Sequence, residues 1–113
     1  MLGLFLGIAA IIATGIIIAH IAKLTIQWLI GKVKNMFAKN RVQKVSAIKL
    51  EKLIEECPNQ MSLEELESKG VDAIIASVDA YGNIEDVEAV AADTVDSDFN
   101  QKLGYEGMIV INR

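Results

Sequence analysis

The chain has 113 residues, a formal net charge of −4, and only one cysteine, Cys57, and one histidine, His20. A single cysteine excludes an intrachain disulfide, and no Cys/His set has the spacing of metal ligands. A cysteine–histidine pair and a Ser/His/Asp triad are equally unsupported unless a second chain completes them. We therefore expect no cofactor and no metal, and a function other than that of an enzyme.

Charge is divided sharply along the chain. Residues 1–50 hold seven basic side chains and no acidic one, whereas residues 51–113 hold four basic and all fifteen acidic side chains, so the halves carry +7 and −11. The basic charges follow an apolar run directly and have no clustered aromatic surface beside them, which argues against a nucleic-acid partner. Membrane lipid is the partner that this arrangement favours.

The first 22 residues contain no charged side chain. At 1.5 Å per residue such a helix spans ~33 Å, enough for a hydrocarbon core of ~30 Å. Apolar residues continue to Ile30, with Trp28 where an interfacial aromatic would lie. Residues 1–30 are therefore predicted to form an uncleaved transmembrane helix, with the N-terminus outside and the C-terminus cytoplasmic because the basic residues follow it. A cleaved signal peptide and a pair of core helices in a soluble assembly are the alternatives.

Two stripes within this apolar region suggest roles in assembly. Small residues recur at helical spacing and predict close helix packing, with chance spacing as the alternative; they are Gly3, Gly7, Ala10 and Thr14. A polar stripe predicts the lining of a bundle or water path, with simple snorkelling to the interface as the alternative; it contains His20, Lys23, Gln27 and Lys34.

Residues 31–58 have the pattern of a basic amphipathic helix that Pro58 ends. Such a helix either rises from the membrane as a stalk or lies on its surface.

Residues 59–113 predict a small acidic cytoplasmic α+β domain. A capping box at Ser62 and Glu65 begins a short helix, and strands at 73–79 and 84–92 form an antiparallel hairpin with its turn at Tyr81, Gly82 and Asn83. A short turn of helix is expected to follow, capped by Asp96 or Ser97, running through Phe99 and Leu103 and ended by Gly104. The run 108–111 is apolar on both faces, which predicts a central strand.

Carboxylates gather on the predicted hairpin, where facing strands bring side chains within ~5 Å. They are Asp72, Asp79, Glu85, Asp86 and Glu88. A hard divalent cation could bind such a group, but the spacing matches no calcium loop. The alternative is a solvated acidic face that keeps the sheet from pairing edge to edge.

The sequence as a whole therefore predicts an α+β protein with an N-terminal transmembrane helix, a helical stalk and a small α+β domain. A domain of about fifty residues is marginal alone, so we expect a homo-oligomer. The corresponding functional hypothesis is a single-pass, membrane-anchored structural or interaction protein, with a protein partner at the acidic domain. The alternative is an oligomeric membrane effector or channel gated by a cytoplasmic sensing domain.

Overall fold

The fold is known from a computed structural model that describes residues 2–113; Met1, where the predicted span begins, lies outside the described residues. Helices and strands interleave along the whole chain. Their bounds are α1 Leu2–Ala13, β1 Ile18–Leu24, α2 Ile26–Phe37, β2 Val42–Lys49, α3 Leu50–Glu56, α4 Met61–Ser68, β3 Ala73–Asp79, β4 Ile84–Val95, α5 Ser97–Leu103 and β5 Met108–Asn112.

The five strands form one mixed sheet in the order β1-β4-β3-β2-β5. β1 runs parallel to β4, whereas β4, β3, β2 and β5 pair antiparallel in turn. The central strand β3 is buried from Ala73 to Val78. Both faces of the sheet therefore require a covering layer.

Helices supply a layer on each face. Ile48, Ile74 and Ala89 of the sheet join one core cluster, which α1, α3 and α4 cover. Ala47 and Ile75 point the other way and join a second cluster, which α2 and α5 cover. The result is an α+β domain in which the sheet lies between two helical layers.

The prediction of a transmembrane helix is wrong. None of the helices within residues 2–113 combines the length and the apolar character needed to cross a membrane. α1 ends at Ala13; Thr14 Oγ1 donates a hydrogen bond to the Ile11 carbonyl, and Gly15 takes a φ of 100°. Three isoleucines follow at 16–18, and their branched side chains favour the extended strand β1 over a continued helix.

The predictions that depended on this helix are corrected with it. The membrane localisation, with the N-terminus outside and the C-terminus cytoplasmic, required a membrane span. Both functional hypotheses, the membrane-anchored interaction protein and the gated channel, required it too. The fold replaces this span with α1, β1 and part of α2. Buried residues of α1, among them Phe5, Ile8 and Ile12, pack into the first core cluster instead.

The prediction of a helical stalk at residues 31–58 is also wrong. The segment from residue 31 to residue 58 contains the second half of α2, all of β2 and all of α3. Apolar residues at Val42, Val45 and Ile48 fit a helical spacing, but they lie on a strand that pairs with neighbours on both sides. Pairing within the sheet thus overrides a pattern that is compatible with both structures.

The second half of the chain resembles its prediction more closely. β3 and β4 form the expected hairpin, α4 and α5 occupy the expected short helices, and Gly70 and Gly104 follow them with positive φ. β5, however, is not central: it pairs only with β2 and forms an edge of the sheet.

The packing of α1 on β4 can be tested at Gly7. A Cβ built there would lie 2.8 Å from Ile84 Cδ1, whereas at Gly3 it would meet no atom within 4 Å. Gly7→Leu should therefore be less stable than Gly3→Leu by about 1 kcal/mol, at the low end for overpacking because the contacted atom is the mobile end of a side chain. Urea unfolding of this variant beside Gly3→Leu measures the difference. Equal effects at the two positions would contradict the contact between α1 and β4.

Candidate binding groove along strand β1

β1 is the second edge of the sheet. Six of its seven residues pair with β4 in a constant register, from Ile18 opposite Ala89 to Leu24 opposite Val95. Among residues 2–113 no strand pairs with its other side. Backbone donors and acceptors along that side therefore remain available for another strand.

Two hydrogen bonds show which residues of β1 face this open side. Asp96 N–H donates to the Leu24 carbonyl at 2.9 Å, and Thr94 Oγ1 donates to the Ala22 carbonyl at 3.5 Å. Even-numbered residues of β1 thus direct their backbone groups towards β4. Because successive residues of a strand alternate, Ala19, Ile21 and Lys23 direct their N–H and C=O groups outwards.

The side chains of the same odd-numbered residues lie on the face that α2 partly covers, since Ala19 and Ile21 pair with Val90 and Ala92 of the second core face. Between β1 and α2 lies a concavity of about 590 Å³. We call it the β1 groove; it is lined by Ala19, Ile21, Gln27, Trp28, Gly31, Lys32, Lys34 and Asn35.

A second concavity of about 610 Å³ adjoins the β1 groove at Ala19. Its lining includes Ile16, Ile17 and Val87, and Ile17 is 87% exposed. An isoleucine this exposed beside an open strand edge extends the apolar surface beyond the start of β1. Together the two concavities extend from Gly15, before β1, to Ile21 within it.

α2 is fixed beside β1 by its first residues and by its buried face. Thr25 caps the helix, because its Oγ1 accepts a hydrogen bond from Trp28 N–H at 3.0 Å. Leu29, Val33 and Met36 are buried against the second core cluster. The wall of the groove is therefore a rigid element attached to the strand by a single connecting residue.

The far end of α2 is held by Arg113. Its guanidinium donates to the carbonyls of Phe37, Lys39 and Val42, and it lies 5.2 Å from the centre of the Phe37 ring. These bonds satisfy carbonyl groups at the end of α2 and in the turn that follows it. Both ends of the groove wall are thus attached to the sheet.

Ion pairs join α2 and the turn after it to β4. Lys32 Nζ lies 2.8 Å from Glu88 Oε2, Lys39 pairs with Asp86 at 2.6 Å, and Arg41 pairs with Glu85 at 3.5 Å. Each pair is partly exposed and contributes about 0–1 kcal/mol. Glu88 Oε2 accepts no well-oriented hydrogen bond among residues 2–113 despite its short distance to Lys32.

These ion pairs account for most of the carboxylate group that suggested a divalent cation. Asp72 accepts a hydrogen bond from Ala92 N–H, and Asp79 accepts bonds within the hairpin turn. Among the described residues, no three His, Cys, Asp or Glu side chains are close enough together to hold a metal ion. The carboxylates of β4 instead neutralise the cations of α2 and the turn after it.

The predicted polar stripe is divided between a strand and a helix. Gln27 and Lys34 lie in the wall of the β1 groove, whereas Lys23 is exposed near the end of β1 and is not one of the residues that line the groove. His20 is exposed and points to the opposite face, because it pairs with Ala91. In residues 2–113 Lys23 and Lys34 take part in no ion pair. Two lysines thus lie in or near the groove without a counter-ion.

The predicted helix-packing stripe lies elsewhere. Gly3 and Ala10 are on the exposed side of α1, and Thr14 follows its end. Gly7 allows α1 to approach Ile84 of β4 closely. The close contact at this position is therefore between a helix and a strand.

The hairpin turn is at the predicted residues. Gly82 has a φ of 86°, and Tyr81 is 91% exposed. Asp79 Oδ1 accepts hydrogen bonds from the N–H groups of Tyr81 and Asn83, both at 2.8 Å. These bonds, above all that from Asn83, stabilise the carboxylate and lower the pKa of Asp79.

The open edge of β1 and the groove beside it were not predicted from the sequence. The signal that could have revealed them is the Thr14–Gly15 break before three consecutive isoleucines, which separates a helix from a strand. No family model matches this chain, and no curated protein and no solved structure matches it either. The site is therefore interpreted from its own geometry.

Because the odd-numbered residues of β1 direct their N–H groups away from β4, the rate of amide hydrogen exchange should alternate along the strand. Ala19 and Ile21 N–H groups should exchange with solvent deuterium much faster than His20 N–H, which faces β4. Residue-resolved hydrogen exchange by NMR measures this. Uniform protection of the three amides would show that the free edge is covered.

The lowered pKa of Asp79 predicts how the hairpin responds to pH. Because the pKa of Asp79 is lower in the folded state than in the unfolded state, its ionised carboxylate stabilises the fold. This stabilisation is fully present above the unfolded-state pKa of about 4 and is lost as the pH falls through the folded-state pKa. Asp79→Asn should therefore lower the melting temperature at pH 7 and have less effect in strong acid. A melting-temperature difference that does not change with pH would contradict this role of the carboxylate.

Proposed function

We propose that this protein is a binding module that takes up an extended, acidic segment of another protein as an additional strand beside β1. The observation that carries the proposal is the open edge formed by Ala19, Ile21 and Lys23, with a groove directly beside it. In this mode of recognition the backbone hydrogen bonds provide affinity, and pockets for alternate side chains provide specificity.

The sequence of β1 supports a functional edge. Folded proteins usually protect open edges with charged side chains, especially lysine, or with proline, bulges or very short strands. β1 has seven residues and a constant register, and it contains no proline. Its apolar Ile21 is only partly buried, and the neighbouring Ile17 is largely exposed. Lys23 is the only residue of the strand that carries a permanent charge.

Charge favours an acidic partner. Lys34 in the groove wall and Lys23 near the end of β1 have no counter-ion in the described chain, although the protein as a whole carries −4. A second copy paired at the same edge would bring two more lysines to this surface, whereas a peptide with carboxylates would neutralise it. An acidic segment from a different protein is therefore the occupant we propose.

The location of the acidic side chains supports the same choice of surface. Glu85, Asp86 and Glu88 are engaged by cations of α2 and the turn after it, so they are less available to a partner than the lysines of the groove. Membrane lipid, homo-oligomerisation and the absence of nucleic-acid binding, catalysis and a cofactor stay predictions. A binding role requires none of the catalytic sets that the composition disfavours.

Replacing one outward N–H group tests the proposal. Ala19→Pro removes a donor from the open edge and leaves the ladder to β4 intact, so the protein should stay folded. The probe is a labelled, end-blocked heptapeptide, Thr-Glu-Thr-Leu-Thr-Glu-Thr, measured by fluorescence anisotropy. We expect saturable binding to the native chain and a loss of affinity of at least about tenfold in the variant, equivalent to ~1.4 kcal/mol.

The matched control is His20→Pro. His20 N–H faces β4, so this variant should lose stability, whereas Ala19→Pro should melt within a few degrees of the native protein. A peptide with Lys in place of both Glu residues should bind more weakly than the probe. Equal binding of the two peptides, or full binding by Ala19→Pro, would refute the proposal. Native dimers that Ala19→Pro converts to monomers would assign the edge to a second copy and refute it too.

A further inference from the structure

Gly31 has no structural reason to be glycine within the described chain. It lies in the interior of α2, where glycine is less favourable than alanine. Its φ is not positive, and a Cβ built on it would meet no atom within 4 Å. Alanine would therefore fit this position without strain and would strengthen the helix.

The space above Gly31 belongs to the β1 groove. Gly31 follows Gln27 by four residues and precedes Lys34 by three, so the three lie on one face of α2. Ala19 and Ile21 form the opposite side of the same concavity. A missing side chain at this point widens the groove where an added strand would run.

The connection between β1 and α2 orders the groove from end to end. Thr25 alone separates the two elements, so the start of α2 with Gln27 lies beside the end of β1 with Lys23. Lys34 lies two turns further along the helix, towards the Ala19 end. Gly31 is therefore between the two lysines that lack a counter-ion.

A strand added to the open edge would present alternate side chains to this wall. We infer that its central groove-facing residue is bulky and apolar and fills the space over Gly31, and that of the acidic residues on either side one faces Lys34 in the groove wall and the other lies towards Lys23 near the end of β1. The recognised segment then has the pattern acidic–x–apolar–x–acidic. This inference rests on the proposed function and specifies the partner of the same groove.

The retention of glycine follows from this arrangement. A methyl group on α2 would occupy the space that the partner's apolar side chain requires. Helix stability therefore favours alanine at this position, whereas binding favours glycine. Gly31→Ala should therefore raise the melting temperature and weaken binding together. A glycine with a purely structural role would not produce that combination.

The experiment combines Gly31→Ala with two end-blocked heptapeptides, Thr-Glu-Thr-Leu-Thr-Glu-Thr and the same peptide with Ala in place of Leu. The variant should melt about 2–6 °C higher than the native protein. It should bind the Leu peptide about tenfold more weakly, while the Ala peptide should bind both proteins equally. This dependence of one substitution on the other places the Leu side chain against Gly31.

The outcomes separate this inference from the proposal on which it rests. If Gly31→Ala binds the Leu peptide as tightly as the native protein, while Ala19→Pro still abolishes binding, the contact at Gly31 is refuted and strand addition stands. If Gly31→Ala lowers the melting temperature, the glycine is structural and the inference fails. If the native chain binds neither peptide, the proposed function itself fails.

Discussion

The structure depends on the burial of β3 on both faces. Ala73, Ile74, Ile75 and Ala76 are fully buried in succession, so side chains on each face of the strand need an apolar layer against them. One residue in two contributes to each core, and neither core forms unless helices cover both sides. Within the apolar N-terminal run, α1 covers one face of the sheet and β1 extends the sheet at its edge, so a run long enough to span a bilayer is divided between a helical layer and a strand.

The same arrangement explains the uneven charge along the sequence. The basic first half supplies α2 and the acidic second half supplies β4, and the fold places the two side by side. Partly exposed ion pairs add little to stability, so apolar burial of Leu29, Val33 and Met36 holds α2 in place. The ion pairs instead make α2 and the turn after it complementary in charge to β4. Within residues 2–113 Lys23 and Lys34 take part in no such pair.

Local signals in the sequence were sufficient for the hairpin and the short helices of the second half, but not for the position of β5 or for the first half of the fold. The hairpin turn at Gly82 and the helix end at Gly104 require a positive φ, and glycine at such a position is a recognisable signal in the sequence. β2 and β1 have no comparable signal, because their apolar spacing suits a helix equally well and their strand partners lie roughly 25 to 70 residues further along. The groove could not be predicted for the same reason: Ala19 and Gly31 become neighbours of one concavity only after β1 pairs with β4.

The position of β1 at the edge links its stability to binding. It has a hydrogen-bonded ladder on one side only, and parallel ladders are slightly weaker per residue than antiparallel ones. Leu24 is fully buried at one end and Ile18 packs against the core at the other, so the ends fix the register while the middle residues face solvent. An added strand would give β1 a second ladder and would bind the folded state alone. The least supported strand of the sheet is thus the one that gains most from a partner, while α2 keeps the groove open beside it.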